Sequence, residues 1–430
     1  MRHVRRLTVG HPFTNGLTVE QARTEIDEHQ IKNRWALAQT VKGLRIDTDY
    51  RDRYLADVGR RRAQGEDELR RLQIDPGNGG HLMRYLEAQG TMPADHPMTK
   101  GGKTTPPRLS TQAKHLETLQ HPTAQLFVAV KQWAKVADDY LQKCIDLVDE
   151  NGRIHPTVKI LAAAHGRDSM ADPPIHQFPA PARGIIVPDE GDEWTSVDWT
   201  AQEPRILMNL AGDVEALAGY EAGGDVYDVV VRVAEVKRKT AKIVVLAGAY
   251  GEGIKKLSTD LGMAPDPWLP AVERYGRLLP ARWGYQAARE LQDAVWAAMP
   301  ASKRWLDNGR ETSKRFGLAV TVAGRILPIP MGKAEDDRPA GRQNHKWPNF
   351  TISGSALDEQ KAVIVQAVKD GAWEYIKFGM HDELVVSTVA ADYVQRLMET
   401  PSQRFMEMTR RRPVIRTDRE RMPERWIKPE

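Results

Sequence analysis

The chain of 430 residues holds one cysteine, Cys144. A single thiol can neither close an intrachain disulfide nor build a Cys-based zinc site, so stability must come from a packed core. A reducing, cytosolic setting fits that count. No apolar run approaches the roughly 18–20 residues that span a bilayer, which excludes a membrane-spanning helix. The start, Met1-Arg-His-Val-Arg-Arg, is basic, but neither an apolar stretch nor a small-residue cleavage site follows it, so no secretory signal is expected. Charge of one sign is scarce as well. Lys and Arg number 62 against 58 Asp and Glu, leaving a formal net charge of +4. A polyanionic partner must therefore be argued from where the cations sit, not from their sum.

What is present suits a globular protein of several units: 41% hydrophobic residues can build a sizeable core beside 28% charged ones. Residues 1–42 form no complete domain; a short polar lead precedes one helix over 19–38. Residues 43–148 have helical spacing and many Arg, Lys and Glu. A loop at 91–111, dense in Pro, Gly, Thr and Lys and carrying Lys100 and Lys103, interrupts them. That loop reads either as a disordered connection or as a flexible basic element against a phosphate backbone. Residues 152–188 are Pro- and Ala-rich, with short extended pieces and no long helix.

The texture changes at Glu193. Residues 194–199, Trp-Thr-Ser-Val-Asp-Trp, read as a buried strand, with a helix over 203–210 directly after it. Helical spacing then dominates 214–308, with Pro-rich interruptions near 264–270. Residues 319–330 suggest a hairpin and 354–369 a long helix. Residues 373–389 read as two strands joined by a tight turn at His381-Asp382-Glu383. No internal repeat is visible. The class is α+β, with helical regions inserted between parts of one antiparallel sheet.

Two aspartates stand apart because each ends a strand and does not sit on a solvated helix face: Asp198, and Asp382 at the hairpin tip. Either alone would ordinarily be a turn residue or a helix cap. Arg238, Lys242, Leu246 and Tyr250 recur every four residues, so each advances about 40° round a helix and the four form one slowly winding stripe. Lys237-Arg-Lys239 alone would be a solvated face, and Glu203 alone an acid favoured at a helix start.

The surrounding words change those readings. Asp198-Trp-Thr-Ala-Gln-Glu203-Pro-Arg205, followed by Leu210-Ala-Gly-Asp213, resembles the first polymerase motif of the DNA polymerase I family (family A). Arg238-Lys-Thr-Ala-Lys242 through Tyr250-Gly251 resembles its second motif, on the fingers helix. Phe378-Gly-Met-His-Asp-Glu-Leu-Val-Val386 is similar to its third. The three occur in the family's order. Further likeness covers residues 43–430: Gly43-Leu-Arg-Ile-Asp47 with Tyr50, His165-Gly-Arg167 through Pro179, Gly324-Arg325 with Pro328, Asn349 through Ala356, and the ending Trp426–Glu430.

This resemblance implies a right-hand polymerase fold with an antiparallel-sheet palm and largely helical thumb and fingers. The parts would be a short N-terminal extension (1–42), thumb (43–150), first palm part (151–205), fingers (206–315) and second palm part (316–430). It implies a template-directed DNA polymerase that adds dNTPs to a primer 3′-hydroxyl on primer–template DNA. Asp198 and Asp382 would hold two Mg²⁺ ions, with Mn²⁺ as a substitute and Glu383 a secondary carboxylate. Two carboxylates suffice because Mg²⁺ keeps waters and takes substrate phosphate oxygens as its remaining ligands.

Arg238 and Lys242 would bind the incoming triphosphate, Tyr250 and Leu246 would face the nascent base pair, and Glu203 would exclude a ribose 2′-hydroxyl. Arg167, His381, Asn349 and Arg205, with Lys100 and Lys103 of the loop, would contact DNA. Leu246 stands where cellular enzymes carry Phe or Tyr, Ala201 where Gln is usual and Ser353 where Gln is common; the pattern looks like a phage branch. Residues 1–42 are too few for the exonuclease domain that relatives usually carry. Synthesis without proofreading in this chain is therefore expected, with any exonuclease or processivity factor acting as a separate partner. Two other readings stay open: a catalytically degenerate DNA-binding descendant, and a single-subunit RNA polymerase-like enzyme.

Overall fold

A computed structural model describes residues 18–93, 96, 98–99, 106, 108–263, 266–269, 272–274, 277–279, 282–332 and 341–428. The chain gathers into two compact units, one from residues 1–39, 159–169 and 195–421, the other from 40–158, 170–194 and 422–430.

The first unit is built on a four-stranded sheet. Its strands are β1 (Trp194–Trp199), β2 (Ile376–Met380), β3 (Glu383–Ser387) and β4 (Thr417–Met422), in the spatial order β2-β3-β1-β4. Aromatic and β-branched residues fill β1, as a strand buried on both faces requires. Within it only Asp198 is less than fully buried. β2 and β3 form the expected hairpin, pairing Met380 with Glu383 and Phe378 with Val385.

Four helices matter for the site: α1 (Val19–Lys42), α2 (Gln202–Ala211), α3 (Arg238–Ala249) and α4 (Trp347–Lys369). α1 runs past the expected residue 38 and stops at Gly43, whose φ of +67° suits a helix terminator. α4 begins at Trp347, not at Gly354, because Pro348 falls in the first turn, where a missing N–H costs nothing. It is buried nearly all round, from Trp347 to Ala367. A helix with that burial is a central pillar and not an amphipathic surface element. Ile206, Leu207, Val244, Val245, Val295, Leu306, Ile352 and Phe405 share one apolar cluster, which ties α2, α3 and α4 together. A short hairpin pairs Leu318–Val320 with Ile326–Pro328, as the sequence suggested.

The second unit rests on two helices, Thr48–Arg71 and Pro122–Lys135. Leu69, Leu82, Leu86, Phe127 and Val130 form its core. Asp47 caps the first helix by accepting from the Tyr50 amide at 2.8 Å, and His121 with Pro122 opens the second. Gly65 is needed for their approach, since a Cβ there would lie 2.6 Å from Val130. Arg425 lies over the Tyr50 ring and pairs with Asp47, which ties the chain's end to the start of the first helix.

Candidate active site

The site is assembled in the first unit. The Trp199 amide donates to the carbonyl of Asp382 at 2.9 Å, so β1 meets the hairpin tip just after Asp198. Two strand-end carboxylates are thereby brought to one end of adjacent strands. The backbone turns sharply beside each: His381 has φ of +57° and Ala201, which starts α2, φ of +48°. Left-handed backbone at non-glycine residues costs about 1–2 kcal/mol each, and both instances flank the candidate metal ligands. The Asp382 carboxyl is pushed upward by burial and further by the Glu203 charge, while Asp382's own backbone amide, Arg167 and His381 oppose the rise. Glu383 is buried and His381 exposed, its carbonyl accepting from Gln360 at 3.2 Å.

Glu203 enters from the first turn of α2 and is 7% exposed. Its Oε1 accepts from the Arg167 guanidinium and from the Ser353 hydroxyl, the latter at 2.8 Å. Its Oε2 accepts from the Tyr250 hydroxyl. One carboxylate thus joins α2, the C-terminal end of α3, the middle of α4 and the loop at 161–168. Burial first, and then the Glu203 charge, raise the Tyr250 phenol above its ordinary range, so it stays a donor. α2 is fixed in turn by Gln202, which donates to the Ala356 carbonyl at 3.2 Å.

The α3 stripe is present. Lys242 is exposed, while Leu246 and Tyr250 are half-buried. Arg238 is engaged: its guanidinium lies 2.6 Å from Asp225 and 5.4 Å from the Tyr227 ring centroid. The helix ends as expected at Gly251, where φ is +72° and a Cβ would lie 1.7 Å from the His345 carbonyl oxygen. Both facts require glycine. Asn349 is half-buried in the first turn of α4, and its Oδ1 has no hydrogen-bond partner among the described residues.

Other expectations fare differently. Arg205 is corrected: its side chain is fully buried, 6.0 Å from the Phe405 ring centroid, and its guanidinium cannot reach DNA from there. The desolvation that excludes DNA also lowers its pKa. Lys100 and Lys103 lie outside the described residues. Asp213, read as part of the first motif, accepts from the Ser302 amide at 2.8 Å, so it acts as a packing anchor. The Arg167 and Ser353 contacts to Glu203 were missed. Their only sequence signal was that both positions fall in motif-like words; nothing local indicated a shared acceptor.

Among the described residues no group of three or more His, Cys, Asp or Glu side chains is gathered as a metal cage. The donors at the β1 and hairpin tips are two hard carboxylates, which fits Mg²⁺ or Mn²⁺ held jointly with substrate oxygens better than a closed structural site.

A four-stranded sheet with acidic residues at one end, and the buried helix α4 beside its hairpin, frame the site. The sequence profile of DNA polymerase family A matches residues 82–414. The chain belongs to that family. It is 26% identical over 265 residues to a DNA polymerase of Mycobacterium phage L5, covering 61% of this chain and 40% of that protein. It is 25% identical over 427 residues to a DNA-directed DNA polymerase of Pseudomonas phage M6, covering 87% and 59%. The thermostable DNA polymerase I of Thermus aquaticus is 24% identical over 369 residues, covering 80% and 41%. This chain therefore spans about two fifths of the length of the first of these relatives.

A solved structure, the POL domain of Pol1 from M. smegmatis in complex with DNA primer-template and dNTP, superposes with a TM-score of 0.72. It is 20% identical and covers 92% of this chain and 70% of that one. The fold is α+β with small antiparallel sheets, that of a right-hand polymerase domain. No helix among the described residues is long and apolar enough to cross a membrane.

Proposed function

We propose that this chain is a template-directed DNA polymerase, adding dNTPs to a primer 3′-hydroxyl on primer–template DNA. The observation that supports the reading is the hydrogen bond from the Trp199 amide to the Asp382 carbonyl, which sets the strand end after Asp198 beside the hairpin tip in a family A chain. In this reading residues 151–205 and 316–430 are palm, 43–150 thumb and 206–315 fingers.

Asp198 and Asp382 would hold two Mg²⁺ ions, or Mn²⁺ in their place, with Glu383 beside them. Bound there, the ions supply activation of the hydroxyl and charge stabilisation of the leaving pyrophosphate. The remaining work falls to the chain. Lys242 offers a fixed exposed charge to the triphosphate. Arg238 joins it by exchanging Asp225 for phosphate, and Tyr250 and Leu246 face the nascent base pair. Glu203, held at both oxygens, stands beneath the sugar and excludes a 2′-hydroxyl. Arg167, His381 and Asn349 grip the primer terminus, and phosphate and shape contacts outweigh base-edge readout because every sequence must be accepted.

The chain would work in the cytoplasm of a bacterial cell or phage-infected host. Extension of a labelled primer on a DNA template with Mg²⁺ tests the reading. Elongation with dNTPs and little with rNTPs is expected. Elongation with rNTPs alone would favour an RNA polymerase-like enzyme, and DNA binding without elongation a degenerate descendant.

A further inference from the structure

Lys32 lies on α1, ahead of the residues that match the family profile, and is 0% exposed. Its ammonium is 2.6 Å from Asp168 Oδ2. The other oxygen of Asp168 accepts from the Leu161 amide at 3.0 Å, so one carboxylate closes the loop 161–168. Within that loop the Ala163 amide donates to the Arg167 carbonyl at 3.0 Å, and the Gly166 amide donates to the Ala163 carbonyl at 2.8 Å.

Arg325 lies against the same loop, its guanidinium 2.7 Å from where a Cβ on Gly166 would stand. Arg325 is itself fixed by Asp358 at 2.5 Å and by the Gly354 carbonyl at 2.7 Å, both on α4. α1 is seated on α4 by a second buried cation, Lys361, which lies 2.6 Å from Glu25 and 3.1 Å from Glu28. The loop is thus anchored by buried charges, and the residue next to Asp168 is Arg167, whose guanidinium reaches Glu203.

Burying an ammonium and a carboxylate is costly, and an apolar pair would often be at least as stable, so the pair is better explained by the geometry it enforces. We propose that Lys32 is a positioning residue for nucleotide selection. Through Asp168 it fixes the loop that aims Arg167 at Glu203, and so stiffens the carboxylate that excludes the ribose 2′-hydroxyl. The inference rests on the polymerase reading and on Glu203 as the sugar filter. Without Lys32, Asp168 is left with a desolvated charge and turns toward water, taking the loop with it. Arg167 then loosens, and Glu203 keeps two of its three donors.

The test compares single-turnover insertion of dNTP and rNTP opposite the same template base by wild-type protein, Lys32→Met, Lys32→Arg, Arg167→Gln and the Lys32→Met/Arg167→Gln double variant. Lys32→Met should lower dNTP-over-rNTP discrimination by a few-fold to about 30-fold, the range of couplings carried through packed networks. Lys32→Arg should restore most of it, and Lys32→Met should add nothing in the Arg167→Gln background. Unchanged discrimination in Lys32→Met overturns the inference while the polymerase reading stands. So does an equal further loss in the Arg167→Gln background, since Lys32 would then act elsewhere. Wild-type protein that extends no primer overturns the polymerase reading and this inference with it. If Lys32→Met does not fold, Lys32→Met/Asp168→Asn removes both charges without stranding a carboxylate and must show the same loss.

Discussion

Glu203 takes its three donors from positions 36, 47 and 150 residues away along the chain. A carboxylate held at both oxygens by charged and neutral donors is far stiffer than one that is merely buried, because each donor would be left unsatisfied if it turned away. That stiffness is what a steric filter needs. Glu203→Ala should raise rNTP incorporation relative to dNTP by about 10- to 200-fold, the discrimination a shape-limited pocket commands. Steady-state insertion efficiencies would show it, and equal selectivity in variant and wild type would refute the filter. At this scale the sequence was legible where chemistry and chain position coincide. Asp198 and Asp382 could be picked out because they end strands inside recognisable words. Ser353 and Arg167 could not be read as partners of Glu203, since nothing in a linear pattern reports that two distant donors share an acceptor. Arg205 misled for the related reason that an arginine in a motif looks exposed until the helix around it is seen to be buried on every side.

Among the elements, α3 shows how a helix end can be dictated by a neighbour. Gly251 is left-handed, and its missing side chain makes room for the His345 backbone. Gly251→Ala should cost at least about 2 kcal/mol, since the left-handed penalty of about 1–2 kcal/mol adds to a backbone clash that no rotamer relieves. It should also raise KM for dNTP, because Tyr250 sits in the adjoining turn. Thermal unfolding and insertion kinetics at wild-type values would contradict that account. Elements with a strong local signature were readable: the hairpin around Asp382, β1, and the stop of α3. Boundaries that depend on burial were not. α4 starts at Trp347, which shares a small apolar cluster with Phe350, Ala319 and Ile329, and Pro348 in the first turn gives up no helical hydrogen bond. α1 reads in sequence only as one helix after a short polar lead, yet it carries a buried lysine whose partner lies more than a hundred residues along the chain.

For the whole molecule, the compact units do not follow linear order. Residues 170–194 cluster with 40–158 and 422–430, whereas the helical and sheet segments from 195 to 421 cluster with residues 1–39 and 159–169. The two-part palm that the family resemblance implies already departs from linear order, but chain texture alone records local periodicity and not which segments return to one another. The family and fold class were nonetheless accessible, since three motifs in fixed order constrain a topology more tightly than any helix or strand boundary does.

The central claim is that Asp198 and Asp382 together form the catalytic pair of the proposed polymerase. Single-nucleotide addition to a primer, measured beside primer–template affinity, tests it in Asp382→Ala. The account predicts that addition falls on the order of 10³-fold or more, because several kcal/mol of charge stabilisation are removed, while DNA binding stays close to wild type. Addition at wild-type rate by that variant would contradict it.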